Sequence, residues 1–255
     1  MNRGPARTTV RLGHLYPGEM NIYADRGNIA VFARRLEWRG LALEVTAIEQ
    51  GDPVEPGAHD LYYLGGGQDR DQAVVARDLV ATKAEGLQRA AEAGAAMLAV
   101  CGGFQLAGHG YTGVDGERMP GVGLLDLDTV AGPTRLIGDL VIEAEVDGQH
   151  QRVVGFENHA GRTRLGAGAR PLGRVVHGRG NNGEDGFEGG IQRRVIGTYL
   201  HGPLLPKNPW LADLLLGWAL EHRTGAPFVL EPLDGTLEAT ARDVAADRAE
   251  RHRDR

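Results

Sequence analysis

The run Ala96-Met97-Leu98-Ala99-Val100 carries no polar side chain and is closed by Gly94 on one side and by Gly102-Gly103 on the other. So short and uninterrupted an apolar stretch fits a strand buried on both faces, and such strands belong to parallel sheets covered by helices. The rest of the N-terminal half agrees. Residues 10–15 read as a first strand and 28–38 as an amphipathic helix closed by Arg39-Gly40. Residues 41–48 read as a second strand, in which Leu41, Leu43 and Val45 alternate, and 60–64 as a third that runs into Gly65-Gly66-Gly67. Residues 71–93 have helical spacing, with Val74, Val75, Leu79, Leu87 and Ala90 on the apolar side and Gly94 as the stop. This order of elements predicts an α/β fold: a doubly wound, mostly parallel sheet flanked by helices.

After Gln105 the segments shorten and turns become frequent. Residues 121–127, 136–146, 151–157 and 171–177 read as hairpin strands added to the sheet, and the glycine-rich stretch 178–190 as a surface turn. Residues 195–200 form another strand that leads into His201-Gly202-Pro203, and 208–222 a strongly apolar helix. The organisation expected is an extended or disordered segment 1–9, a domain over 10–223, and a C-terminal extension 224–255. In that extension residues 237–255 are helical, with mixed charge that marks a solvated face.

Of the 255 residues 42% are hydrophobic and 24% charged, as in an ordinary globular protein. A net charge of -6 excludes a general nucleic-acid binder, which needs a clustered cationic surface. The polar N-terminus lacks a signal-peptide pattern, and no apolar run is long enough to span a bilayer. Cysteine occurs once, so no intrachain disulfide can form and a reducing cytosol fits.

That one cysteine, Cys101, follows the buried strand directly, where two glycines let the chain turn sharply. A helix beginning near Gly103 would aim its first amides at the sulfur and favour the thiolate. The plain alternative is a buried structural cysteine. A nucleophilic thiol needs a base at the same end of the sheet. Among the nine histidines His201 is placed that way, with His159, at the end of 153–158, as a second candidate. Acyl transfer further needs donors for an oxyanion, which the glycine loop 65–67 and the Gly102 amide can provide.

Ala99-Val100-Cys101-Gly102-Gly103-Phe104-Gln105 resembles the Cys-x-Gly-x-Gln elbow of class I (triad-type) glutamine amidotransferases, which have a flavodoxin-like fold. Within that family the chain is most similar to the cobyric acid synthase-like (CobB/CobQ) branch. Residues 21–28 (NIYADRGN) and 197–203 (GTYLHGP) are similar to a narrower group, the GatD-type subunits of lipid II isoglutaminyl synthase. The resemblance spans residues 10–220. It implies Cys101 as nucleophile, His201 as general base, and Gly66, Gly67 and Gly102 as oxyanion-hole backbone. It also implies Arg135 as the guanidinium that binds the glutamine α-carboxylate, Gln105 as a residue orienting substrate or capping the elbow helix, and Asn158-His159 as pocket wall. No metal or cofactor is implied in this chain. ATP and magnesium are expected on a MurT-like Mur ligase subunit, which would form a heterodimer with this chain and bring lipid II to it. The expected location is cytoplasmic, at the inner face of the membrane.

One departure matters. Class I enzymes carry an acidic residue two positions after the histidine, to orient the imidazole, and here Pro203 stands there. Cys101 and His201 then work as a dyad, or a distant residue such as Glu157 folds in, or the partner supplies the carboxylate. No Gly-x-x-x-x-Gly-Lys-Ser/Thr run occurs, so ATP chemistry is expected elsewhere. Other readings are a subunit of a cobyric-acid-type synthase, a stand-alone cysteine amide hydrolase, and a non-catalytic module on the same scaffold.

Overall fold

The computed structural model describes residues 7–22 and 26–251. The N-terminal half follows the expected order: β1 (Thr9–Leu15), α1 (Arg26–Glu37), β2 (Ala42–Ile48), β3 (Leu61–Leu64), α2 (Asp69–Asp78), α3 (Ala84–Glu92), β4 (Ala96–Val100) and α4 (Gly102–Ala107). Every residue of β3 and β4 is buried, as their unbroken apolar sequences require. Next come β5 (Gly110–Thr112), β6 (Arg118–Pro120), β7 (Leu127–Val146), β8 (Gln149–Leu165), β9 (Gly173–His177), β10 (Phe187–Glu188), β11 (Gly190–Gln192) and β12 (Val195–Thr198). The chain ends with α5 (Leu204–Lys207), α6 (Pro209–Thr224) and α7 (Thr236–Arg251).

One six-stranded sheet has the order β11-β12-β4-β3-β1-β2. Its strands are parallel except for β11, which pairs antiparallel with β12. The core is continuous from this sheet into α1, α3, α4 and α6. A second sheet, with the order β10-β9-β7-β5-β6 and β8 paired to β7, is largely antiparallel and holds the added hairpins.

Several local expectations change. Leu41 and Leu43 pack against the core as expected, but Val45 is 46% exposed, because β2 is an edge strand whose middle is left uncovered. The helix expected over 71–93 is interrupted by a π turn, Leu79–Lys83, between α2 and α3, and Val74 lies on the exposed side. Residues 121–126 are irregular rather than a strand. The short hairpins are one long ribbon, in which β7 and β8 are joined by Asp147-Gly148, both at positive φ. That is the backbone of a tight two-residue hairpin turn, for which Asp-Gly is a strong local signal. Pro133 sits in the register shift between Ala131 and Leu136, where the ladder needs no donor.

Two further corrections concern burial. The stretch 178–190 is a surface turn only in part: residues 178, 179 and 183–185 are exposed, but Asn181, Asn182 and Glu188 are buried, and Asn182 Nδ2 donates to the Thr163 carbonyl at 3.0 Å. The C-terminal helix α7 is not solvated all round, because Ala246 and Ala249 pack against Val141 and Val154 of the β7/β8 ribbon.

Candidate active site

The parallel ladder puts Ala99 opposite Gly197 and Val100 opposite Thr198, so the carboxyl ends of β4 and β12 lie side by side. Cys101 follows the first by one residue and His201 follows the second by three. At Cys101 the backbone turns at φ 53° and ψ -107°, a region that non-glycine residues rarely adopt. Such strain persists only where surrounding bonds impose it. Here the Cys101 N–H donates to the Thr198 carbonyl at 2.8 Å, the Cys101 carbonyl accepts from Gln105 N–H at 3.0 Å, and Gly103 N–H donates to the Gly65 carbonyl at 3.1 Å. Gly103 tolerates nothing larger, since a Cβ there would lie 2.4 Å from the Leu64 carbonyl oxygen. The bend therefore presents the thiol at the top of the sheet while holding the chain on both sides of it.

The glycine loop after β3 closes over the same point. A Cβ placed on Gly66 would be 3.3 Å from that of Cys101, and one on Gly102 would be 3.2 Å from the Gly67 nitrogen. Bare backbone of Gly66, Gly67 and Gly102 thus meets beside the cysteine, where amide donors can face an oxyanion formed at a carbon bonded to sulfur.

His201 is completely buried. Its N–H donates to the Phe156 carbonyl at 2.8 Å, the Phe156 N–H returns a bond at 3.2 Å, and the two rings stack with centroids 5.4 Å apart. Along β8, residues 156, 158, 160 and 162 are half-buried and alternate with buried 157, 159, 161 and 163, so Phe156 and Asn158 share a face. Asn158 holds Arg135, whose Nε donates to Asn158 Oδ1 at 2.8 Å and whose Nη2 donates to the Asn158 carbonyl at 2.7 Å. The guanidinium is thereby tied to the side of the ribbon that stacks on His201.

Three other candidates are engaged in contacts of their own. Glu157, on the opposite face of β8, accepts from Arg179 N–H at 2.6 Å and from Gly180 N–H at 3.0 Å, and lies 3.5 Å from His159 Nε2. Its carboxylate braces the 178–190 loop instead of folding onto His201. His159 stacks on Tyr199 with centroids 3.5 Å apart, and burial holds its pKa below the ordinary histidine value. Gln105, read as orienting substrate or capping the elbow helix, is buried with both ends engaged: Oε1 accepts from Gln72 Nε2 at 2.8 Å and Nε2 donates to the Tyr199 hydroxyl at 3.1 Å. These bonds tie the elbow helix to α2 and to the residue after β12.

Tyr199 is the centre of this brace. Its hydroxyl also meets Thr163 Oγ1 at 2.7 Å, which meets Thr129 Oγ1 at 2.7 Å, and burial pushes the phenol well above its ordinary pKa. Gln72, Phe156, Thr163 and Glu188 escaped the sequence reading, because each acquires its place only through pairings distant along the chain. Of the motif residues 21–28, Tyr23, Ala24 and Asp25 lie outside the described residues. Among the described residues no group of three or more His, Cys, Asp or Glu side chains could hold a metal ion.

This geometry has relatives. The family model for the CobB/CobQ-like glutamine amidotransferase domain matches residues 11–209. The chain is 40% identical, over 94% of its length and 96% of the relative, to the lipid II isoglutaminyl synthase (glutamine-hydrolyzing) subunit GatD of Staphylococcus aureus strain N315. It is 36% identical to the subunit of the same name from Streptococcus pneumoniae strain R6, over 93% of this chain and 91% of that one. In fold it is similar to a chain in the structure of PurLQS from Thermotoga maritima, with a TM-score of 0.54 at 17% identity, covering 86% of this chain and 99% of that one. With a family model spanning most of its length and a thiol placed on a strained elbow between a glycine loop and a histidine-bearing strand, this chain belongs to the CobB/CobQ-like glutamine amidotransferases.

Proposed function

We propose that this chain is the glutaminase subunit of a lipid II isoglutaminyl synthase. The observation that carries the reading is the convergence of Cys101, the carboxyl end of the His201 strand and the Gly66-Gly67-Gly102 backbone at one end of the sheet, in a chain similar over nearly its whole length to two subunits of that name. Cys101 Sγ attacks the side-chain amide carbon of L-glutamine while His201 takes the thiol proton. The carbonyl oxygen becomes an oxyanion beside the Gly67 and Gly102 amides. Collapse of the tetrahedral intermediate breaks the C–N bond, His201 returns its proton to the departing nitrogen, and ammonia leaves a thioester on Cys101. Water, deprotonated by His201, then hydrolyses the thioester to glutamate and restores the thiol.

The ammonia passes to a MurT-like ligase subunit in a heterodimer, where ATP and magnesium activate the D-glutamate α-carboxylate of lipid II for conversion to D-isoglutamine. On this proposal the complex acts in peptidoglycan biosynthesis, in the cytoplasm at the inner membrane face. No helix among the described residues is long and apolar enough to cross a membrane.

Two measurements test this. Adding the ligase partner stimulates glutamine hydrolysis; full activity of the chain alone would favour a stand-alone amide hydrolase. Arg135 Nη1 makes no hydrogen bond among the described residues, which leaves an edge of the guanidinium for the substrate α-carboxylate. Arg135→Ala is expected to raise KM for glutamine by about 30-fold with kcat little changed, the ~2 kcal/mol of one charged hydrogen bond. An unchanged KM would remove Arg135 from the site.

A further inference from the structure

Beneath the strand that delivers His201 lies a carboxylate that the reaction above does not use. Glu188 of β10 is completely buried, and burial pushes its carboxyl up to about 7. Its Oε1 accepts two hydrogen bonds, from Thr198 Oγ1 at 2.7 Å and from the Tyr199 N–H at 2.7 Å. Thr198 Oγ1 in turn accepts the Leu200 N–H at 3.0 Å. These contacts cover the residues between the end of β12 and His201. They begin where the sheet stops helping: the last pair of the β11/β12 ladder is Gly190 with Gly197, and Tyr199 lies two residues beyond it.

The carboxylate is itself held from behind. Asn181 Nδ2 donates to the Gly189 carbonyl at 2.9 Å, Gly189 N–H donates to Asn181 Oδ1 at 2.8 Å, and Asn181 N–H donates to the Phe187 carbonyl at 2.9 Å. Glu188 therefore enters from a strand end bracketed on both sides. A buried carboxylate is a costly filler, and an apolar side chain would occupy the same space more favourably. What Glu188 offers is an acceptor for a main chain that has left its ladder. Its Oε2 has no hydrogen-bond partner among the described residues, so both restraints run through one oxygen.

We infer that Glu188 is a positioning residue for His201: through Oε1 it fixes the path of residues 198–200 and so the placement of the imidazole beside Cys101, and what the site requires is an acceptor rather than a charge. The inference rests on His201 acting as the base in the proposed reaction.

The test uses the assembled complex with its ligase subunit, comparing Glu188→Leu, Glu188→Gln and Thr198→Val with the parent in glutamine-driven and ammonia-driven amidation. Glu188→Leu is expected to lower the glutamine-driven kcat by about 10- to 100-fold, the usual effect of a reacting group displaced by up to an ångström. KM for glutamine should stay within about twofold and the ammonia-driven rate should be unchanged. Glu188→Gln, whose amide oxygen can accept both bonds, is expected to keep kcat within about threefold of the parent, and Thr198→Val to fall between the two. A Glu188→Leu complex with full glutamine-driven kcat overturns the inference, as does a parallel fall in the ammonia-driven rate, which would mark a purely structural residue. A Glu188→Gln complex as impaired as Glu188→Leu overturns the acceptor argument. Should Glu188→Leu fail to assemble, Thr198→Val with unchanged kcat overturns the inference by itself. A parent complex that cannot use glutamine at all would instead refute the proposed function.

Discussion

Replacing Cys101 with alanine is expected to lower glutamine-dependent amidation by ~1000-fold or more while leaving ammonia-dependent amidation at the parent rate. The size follows from what the residue does. Without Sγ no thioester can form, and the remaining groups can offer an amide only binding and oxyanion donors. The selectivity follows from where it sits. Cys101 is buried at the hinge between β4 and α4, and its side chain makes none of the hydrogen bonds that hold the elbow, which all run through its main-chain N–H and C=O. Alanine keeps those bonds and the apolar contact of the β-carbon. It also relieves none of the strain, since the φ of 53° is imposed from Thr198 and Gln105. The variant should fold, bind glutamine and assemble. Ammonia enters downstream of the missing step, so added ammonium chloride rescues the synthase. Loss of both activities would make the cysteine structural, and labelling of a residue other than Cys101 by a glutamine-analogue electrophile would displace it as nucleophile.

The parts of the fold legible in the sequence are those whose side chains see a uniform environment. Ala96–Val100 is recovered residue for residue because both faces are buried, and a strand covered on both sides leaves an unbroken apolar run. Cys101 and His201 fall at the same end of the sheet for a related reason: they follow two neighbouring strands by one and three residues, and the register of the parallel pair sets those strand ends side by side. Where one face is open, the pattern fails. Ile137 is 67% exposed and Pro133 breaks the ladder nearby, so β7 read as starting at 136 rather than at Leu127. The buried polar residues were the hardest to read. Asn181, Asn182 and Glu188 look like a surface turn, since their composition is that of one, yet their partners are backbone groups of residues 163, 189 and 199. A polar side chain buried against main chain has no periodicity to betray it. The same holds for Gln105, whose motif position left open whether it orients substrate or caps the elbow helix and whose two ends are taken by Gln72 and Tyr199.

Lys83→Met is expected to destabilise the chain by about 3 kcal/mol, at the lower end of what removing one partner of a buried ion pair costs. Lys83 is one of only two lysines and is completely buried in the π turn between α2 and α3. Its Nζ donates to Asp78 Oδ2 at 2.6 Å and to Thr82 Oγ1 at 3.1 Å, and lies 4.6 Å from the Tyr16 ring centroid. Methionine reproduces the aliphatic stem, so the cavity is small and the loss is electrostatic. It is kept from the upper end because Asp78 retains two donors, the Tyr16 hydroxyl at 2.6 Å and the Gly51 N–H at 2.9 Å. Urea unfolding should show a lower midpoint with an unchanged slope, and a difference below about 1 kcal/mol would mean that the pair is screened like one at the surface. Asp78→Asn in the same chain should recover much of the loss, since the penalty lies in the carboxylate left behind. Burial alone would push the Asp78 carboxyl up, but the bonds from Lys83, Tyr16 and Gly51 outweigh it and hold the pKa below the ordinary value. A carboxyl held low in the folded state adds stability above its unfolded pKa and loses it as pH falls through the folded one. The gap between parent and Lys83→Met should therefore be widest near neutral pH and close in acid, whereas a loss due to packing would persist at every pH.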